Sequence, residues 1–236
     1  MKKIIHREGS RGKSELGWLH SRFSFSFANY YNPDKMGFGL LRVLNDDVVE
    51  PETGFGTHPH NNMEIITIIL DGELEHKDSM GSGSIIHKGE VQVMSAGSGI
   101  THSEMNPSDE KKVNLFQLWI FPKEQNIKPR YDQKEFLIEE RKNNLQTVAS
   151  GFKTKGTLYI HQDAAITLGN VEKGKKIIYK NFRPGNGFYL LVISGKINLS
   201  GEELSKRDAI GIWEQDQTEL SAVEDTDFVI VEVPMN

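Results

Sequence analysis

Ile66-Thr67-Ile68-Ile69-Leu70-Asp71-Gly72-Glu73-Leu74 and Tyr189-Leu190-Leu191-Val192-Ile193-Ser194-Gly195-Lys196-Ile197 read as one unit written twice. Each is an apolar run, a polar residue, a glycine and a second run. Apolar runs of this length bounded by turn residues are strand signals, and glycine at the join suits a tight hairpin. One copy in each half of the chain implies a duplicated β domain.

The same texture extends outward from both copies. Before and after the first lie Gly39 to Leu44, Glu90 to Met94 and Val113 to Phe121. Around the second lie Thr157 to Ile160, Ile177 to Tyr179, Ala209 to Trp213 and Phe228 to Val233. Phe23, Phe25 and Phe27 alternate with Ser24 and Ser26, the period of a half-buried strand. Turn signals separate the runs, among them Asn32-Pro33-Asp34, Met80-Gly81-Ser82-Gly83 and Arg183-Pro184-Gly185-Asn186. Helical periodicity is scarce; the best stretch, about Asp132 to Asn144, reads as a connecting helix or surface segment. Many short strands with glycine turns predict an all-β fold of two packed barrels, with the boundary between about Pro122 and Gly156.

Composition narrows the chemistry. The 236 residues carry a net charge of −5, which disfavours free nucleic acid and anionic membranes as partners. No apolar run approaches the length of a membrane span, and the first residues lack a signal-peptide core, so a cytoplasmic protein is expected. There is no cysteine, which removes disulfides, thiolate nucleophiles and zinc–thiolate sites. Any metal must be held by His, Asp or Glu.

His58 and His60 flank Pro59, and His102 and Glu104 are again two apart. Positions two apart on a strand share a face, so each pair can address one point. Pro59 cannot donate to a sheet ladder and favours an edge or barrel mouth. Glu64 shares the parity of the first pair if no bulge intervenes, and Asn106 continues that of the second. Taken singly, each residue is more simply a surface-turn or core group. Two same-face pairs on neighbouring strands instead suggest three imidazoles and a carboxylate around one cavity, a normal set for a first-row divalent ion. His6, His20, His87 and His161 lack such a setting, and His76 reads as part of a polar hairpin.

Gly56-Thr57-His58-Pro59-His60-Asn61-Asn62-Met63-Glu64 resembles the first cupin motif, and Gly97-Ser98-Gly99-Ile100-Thr101-His102 with Asn106 the second. Gly54 to His60 and Met94 to Glu104 resemble the pirin family more narrowly. Phe25-Ser26-Phe27-Ala28-Asn29-Tyr30-Tyr31 and Leu41 to Asp47 resemble its bacterial members. The resemblance implies a bicupin: residues 1–138 as a metal-binding cupin barrel and residues 139–236 as a cupin barrel lacking metal ligands. Gly185-Asn186-Gly187-Phe188 stands where that second barrel would need a His-x-His pair. The implied ligands are His58, His60, His102 and Glu104, on one divalent transition metal, iron first, with manganese, nickel, cobalt or copper also fitting.

Several bacterial pirins act as quercetin 2,3-dioxygenases, so the resemblance implies opening of a flavonol's central ring by dioxygen with loss of carbon monoxide. Glu104 is the expected base and Glu64 the fallback. Phe23, Phe25, Phe27, Phe38 and Phe55 are candidates to line a flat pocket, though ordinary core roles are expected for at least three. The competing expectation is a metal-binding regulatory protein without turnover, resembling the pirins described as transcription cofactors, which at this charge would bind protein and not DNA. A monomer is expected.

Overall fold

Among residues 1–235, those described by the computed structural model, the chain is all β with two short 3-10 turns. The strands form two seven-stranded and two four-stranded sheets. In the first half, strands Gly12–Glu15, Leu19–Phe23, Leu41–Val49, Val113–Ile120, Glu64–Asp71, Glu90–Ser95 and Arg130–Glu135 lie side by side in that order. Opposite them pack Gly54–His60, Ile100–Met105, Glu73–Asp78 and Gly83–His87. The second half repeats the plan with Asn186–Ser194 and Thr226–Pro234 central in its large sheet, and Lys176–Lys180, Gln217–Ala222, Lys196–Leu199 and Glu202–Ser205 opposite.

The repeated glycine explains why the two halves match at that point. Gly72 has φ +78° and Gly195 φ +79°, where L side chains are strained. A Cβ on Gly72 would meet the Lys112 carbonyl oxygen at 2.6 Å, and one on Gly195 the Asp225 carbonyl oxygen at 2.0 Å. Each hairpin turns hard against the next strand of its own barrel.

The barrels differ inside. The second is filled by an apolar cluster including Tyr179, Phe188, Leu190, Ile197, Leu220 and Phe228. Its Gly185-Asn186-Gly187-Phe188 segment is structural: Phe188 packs edge-on to Tyr179, and the Asn186 amide donates to Glu232 Oε1 at 2.9 Å. The first barrel keeps a smaller apolar end around Leu74, Ile86 and Leu115. Beyond it lie buried polar groups, Thr67, His76, Gln92, His102 and Glu104. Burying so many polar groups is costly unless they serve a ligand or one another. The most extensive core lies between the two large sheets, where Phe25, Phe38, Ile66, Phe116 and Leu118 meet Ile166, Tyr189 and Val229.

Three expectations need correction. The stretch Asp132 to Asn144 is not a helix: Arg130–Glu135 is an edge strand paired with Glu90–Ser95, followed by a 3-10 turn over Ile138–Arg141. Its charges belong to the solvent side of a sheet edge. The strand at Phe23 ends there, and Phe25 turns into the inter-barrel core. The start of the chain also departs from a plain division at residue 138. Lys2–His6 pairs with Ala209–Trp213, so this strand completes the second barrel's sheet, in the place that Arg130–Glu135 fills in the first. We retain residues 1–138 and 139–236 as a proposed division, with that strand exchanged. No helix among the described residues is long and apolar enough to cross a membrane.

Candidate metal centre

Gly54–His60 is an edge strand, which accommodates Pro59. It pairs antiparallel with Ile100–Met105, and His58 stands directly opposite His102. Ring centroids are 4.4 Å apart for His58 and His102, and 4.9 Å for His60 with each of them. One nitrogen from each of the three imidazoles lies within 4.8 Å of the others. His58 and His60 are half-buried, while His102 is buried.

Burial and neighbouring imidazoles hold His60 and His102 in the neutral form. Burial, then the neighbouring His58, His60 and His76, push the His102 imidazole down to about 3. Burial and His58 push His60 down to about 4. Neutral imidazoles are metal ligands, and imidazolium is not. His58 Nδ1 donates to the Gly56 carbonyl oxygen at 2.8 Å, which leaves its Nε2 bare. His102 Nε2 is buried without a protein partner.

Glu104 shares the face of His102, as its spacing predicts, but a bulge between His102 and Glu104 sets it opposite Phe55. It groups with His102 and His76, and not with His58 and His60. Its Oε2 accepts from Gln117 Nε2 at 2.9 Å, and the Gln117 oxygen accepts from Trp119 Nε1 at 3.1 Å. Its Oε1 is buried and unpartnered, and burial pushes the carboxyl pKa up. An orphaned imidazole nitrogen beside an orphaned carboxylate oxygen is the donor set a divalent transition ion would satisfy. The residues present therefore fit a metal.

Glu64 does not join this set. It opens the strand after His60, on the other sheet, and reaches toward the second half of the chain. Its Oε2 accepts from Ser95 Oγ at 2.8 Å and from the His161 backbone N–H at 3.1 Å. Burial pushes its pKa up to about 7. Asn106 is also an anchor, donating to the carbonyls of Val49, Glu50 and Lys111.

Beside His60 opens a cavity of about 650 Å³ whose apolar wall is Met63, Ile100 and Trp119, with Pro59 and Thr101 at its sides. The phenylalanines do not line it. Phe27 backs Trp119 edge-on at 5.3 Å, Phe55 packs on Trp18, and Phe38 packs on Tyr189 and Trp213. Trp119, Gln117 and His76 escape the sequence reading. For His76 a signal existed: Leu74, His76 and Asp78 alternate with the charged Glu73, Glu75 and Lys77, so all three can face inward.

A histidine-lined pocket inside one of two tandem jelly-roll barrels defines a bicupin with one candidate metal centre. Comparison with known proteins agrees on both halves. The pirin family profile matches residues 5–120, and that of the quercetinase C-terminal cupin domain matches residues 147–233. The chain is 40% identical over 230 residues to quercetin 2,3-dioxygenase of Escherichia coli K12, covering 98% of each. It is 39% identical over 222 residues to a pirin-like protein of Caulobacter vibrioides, covering 94% of this chain and 95% of that one. The crystal structure of the bacterial pirin YhhW from Escherichia coli in complex with nickel(II) superposes with a TM-score of 0.93 at 38% identity, covering 99% of both chains. The chain belongs to the pirin family.

Proposed function

We propose that this protein is a metal-dependent flavonol 2,3-dioxygenase, opening the central ring of quercetin or a related 3-hydroxyflavone with dioxygen and releasing carbon monoxide. The observation that carries this reading is the convergence of the His58, His60 and His102 imidazoles, with the free carboxylate oxygen of Glu104 nearby, beside a cavity walled by Trp119, Met63 and Ile100. The names of the 40%-identical relatives support the substrate class.

His58, His60 and His102 would hold the ion, with Glu104 as fourth ligand. A divalent metal there would lower the pKa of a coordinated hydroxyl and position it. Glu104 Oε1, raised in basicity by burial and steadied through Gln117, accepts the proton of the substrate's 3-hydroxyl. The Gln117 amide also ties Glu104 to Trp119, so the base and the wall that seats the flat rings are held together. Glu64 remains the fallback: its Oε1 is also buried without a partner, but its Oε2 is engaged at the barrel junction and it opens a strand of the opposite sheet. With this reading goes a cytoplasmic monomer whose partners are a flavonol and dioxygen, and iron as the first candidate metal.

The test is anaerobic titration of metal-loaded protein with quercetin, then admission of oxygen. Carbon monoxide and loss of the flavonol absorbance are expected. If none forms with iron, manganese, nickel, cobalt or copper, the dioxygenase reading falls and a non-catalytic binding role takes its place.

A further inference from the structure

His76 and Asp78 have no part in the reading above, yet the side chains of both are wholly shielded from solvent in the first barrel. Asp78 Oδ1 accepts two backbone N–H groups, from Met80 at 2.9 Å and Ser82 at 3.0 Å. Its Oδ2 lies 3.2 Å from His76 Nε2. On the far side of that ring, His76 Nδ1 lies 3.4 Å from His102 Nδ1. Tyr131 stacks on His76 at 4.6 Å between centroids with planes 28° apart, which fixes the ring's orientation. The Tyr131 hydroxyl is held in turn by Ser84 Oγ and Gln133 Oε1.

We propose that Asp78 and His76 form a hydrogen-bond relay that sets the tautomer of His102 and leaves its Nε2 bare. The logic is one of donors and acceptors. Asp78 Oδ1 already accepts two N–H groups and its Oδ2 is the acceptor that faces His76, so His76 Nε2 carries the hydrogen. In a neutral ring the other nitrogen, Nδ1, is then an acceptor. His102 Nδ1 must supply the hydrogen between the two rings, and its own Nε2 is left with a lone pair. That nitrogen is the buried one without a protein partner. His58 reaches the same tautomer more simply, through the Gly56 carbonyl. His76 is thus a positioning residue for His102, and its use as such rests on the metal reading of the triad.

Asp78→Asn tests this nearly isosterically. The Met80 and Ser82 N–H groups still need an oxygen, so the new amide must turn its NH2 toward His76 Nε2. The relay then reverses: His76 donates from Nδ1, His102 accepts at Nδ1, and His102 Nε2 is protonated. In metal-free protein, 15N NMR should show His102 protonated at Nδ1 in the wild type and at Nε2 in Asp78→Asn, with His58 unchanged. Nickel(II) titration of the same proteins should give an affinity about 10- to 100-fold weaker in the variant, the usual cost of removing a ligand's orienting partner. His76→Gln, which can donate to Asp78 and accept from His102, should stay within a few-fold of wild type, while His76→Leu should not. Wild-type His102 protonated at Nε2, or an unaltered tautomer in Asp78→Asn, would overturn the relay. Absence of nickel binding by wild-type protein with the expected tautomer would count against the metal reading and leave the relay standing.

Discussion

A carboxylate that must ionise away from water weakens the fold that buries it, and Glu64 meets that condition. Burial pushes its pKa in the folded chain up to about 7, above the ordinary carboxyl value of 4.5. The folded state therefore holds a proton that the unfolded chain has released between those values, so stability falls as pH rises through that window. Glu64→Gln removes this slope. Relative to wild type, the variant should gain stability between pH 5 and pH 8 by an amount on the order of 2 kcal/mol, read from urea unfolding at both values. Asp47, also pushed up to about 7 by burial, keeps its own share of the slope in both proteins. Glu104, whose pKa burial also raises, shares the direction of this slope, and the proposed function gives it a second test in turnover. With metal restored to saturation, Glu104→Gln should lower flavonol turnover by roughly two to four powers of ten, the usual worth of a general base. Full turnover in that variant would remove the base role.

At the scale of elements, the hairpin glycines make the sharpest forecast. Gly72→Ala places a methyl on the Lys112 carbonyl at a positive φ, and Gly195→Ala does the same at Asp225. Each should cost at least about 1–2 kcal/mol, measured by denaturant midpoint, since an L residue in that region alone costs as much. Gly56 offers a control, because a Cβ there has nothing within 4 Å. The same elements show what could be read from sequence. Both hairpins were legible, since an apolar run ending in polar-glycine has few other meanings. The three site histidines were legible because strand parity fixes which residues share a face. What parity cannot supply is register between strands distant in sequence. Nothing in the sequence says that Glu104 faces His76, or that a bulge follows His102. His76 is hard to read because its neighbours in sequence are charged, and a strand with a charged outer face resembles a polar hairpin. The charged edge strand Arg130–Glu135 lies at the surface, as one of its two readings has it, and its charges hide the strand period for the same reason.

On the scale of the whole molecule, the two barrels have one plan and opposite interiors. The second filled its cavity with Tyr179, Phe188 and Phe228, while the first kept buried polar groups, with unpartnered atoms at His102 Nε2 and Glu104 Oε1 among them. Stability should therefore be added to the first barrel when its site is filled. A saturating divalent metal should raise the melting temperature, as any ligand of the native state does. His58→Ala or His102→Ala should abolish that rise while leaving the fold intact, as followed by circular dichroism. A rise that survives both changes would place the ion elsewhere.

The exchange of one edge strand has a consequence for the order in which the molecule can be made. Lys2–His6 leaves the ribosome long before its partner, Ala209–Trp213. The early strand must wait, unpaired, until residues 209–213 have been synthesised, so the second barrel closes only after that point. Its residues suit that delay: Lys2 and Lys3 stay exposed, and charge on a waiting strand discourages pairing with the wrong neighbour. His6 is the buried end, held at Tyr189, and burial together with Lys35 and Arg11 pushes its pKa down to about 4. A nascent chain stalled before residue 209 should thus leave Lys2–His6 open to protease, and the protection should come in one step when Ala209–Trp213 emerges.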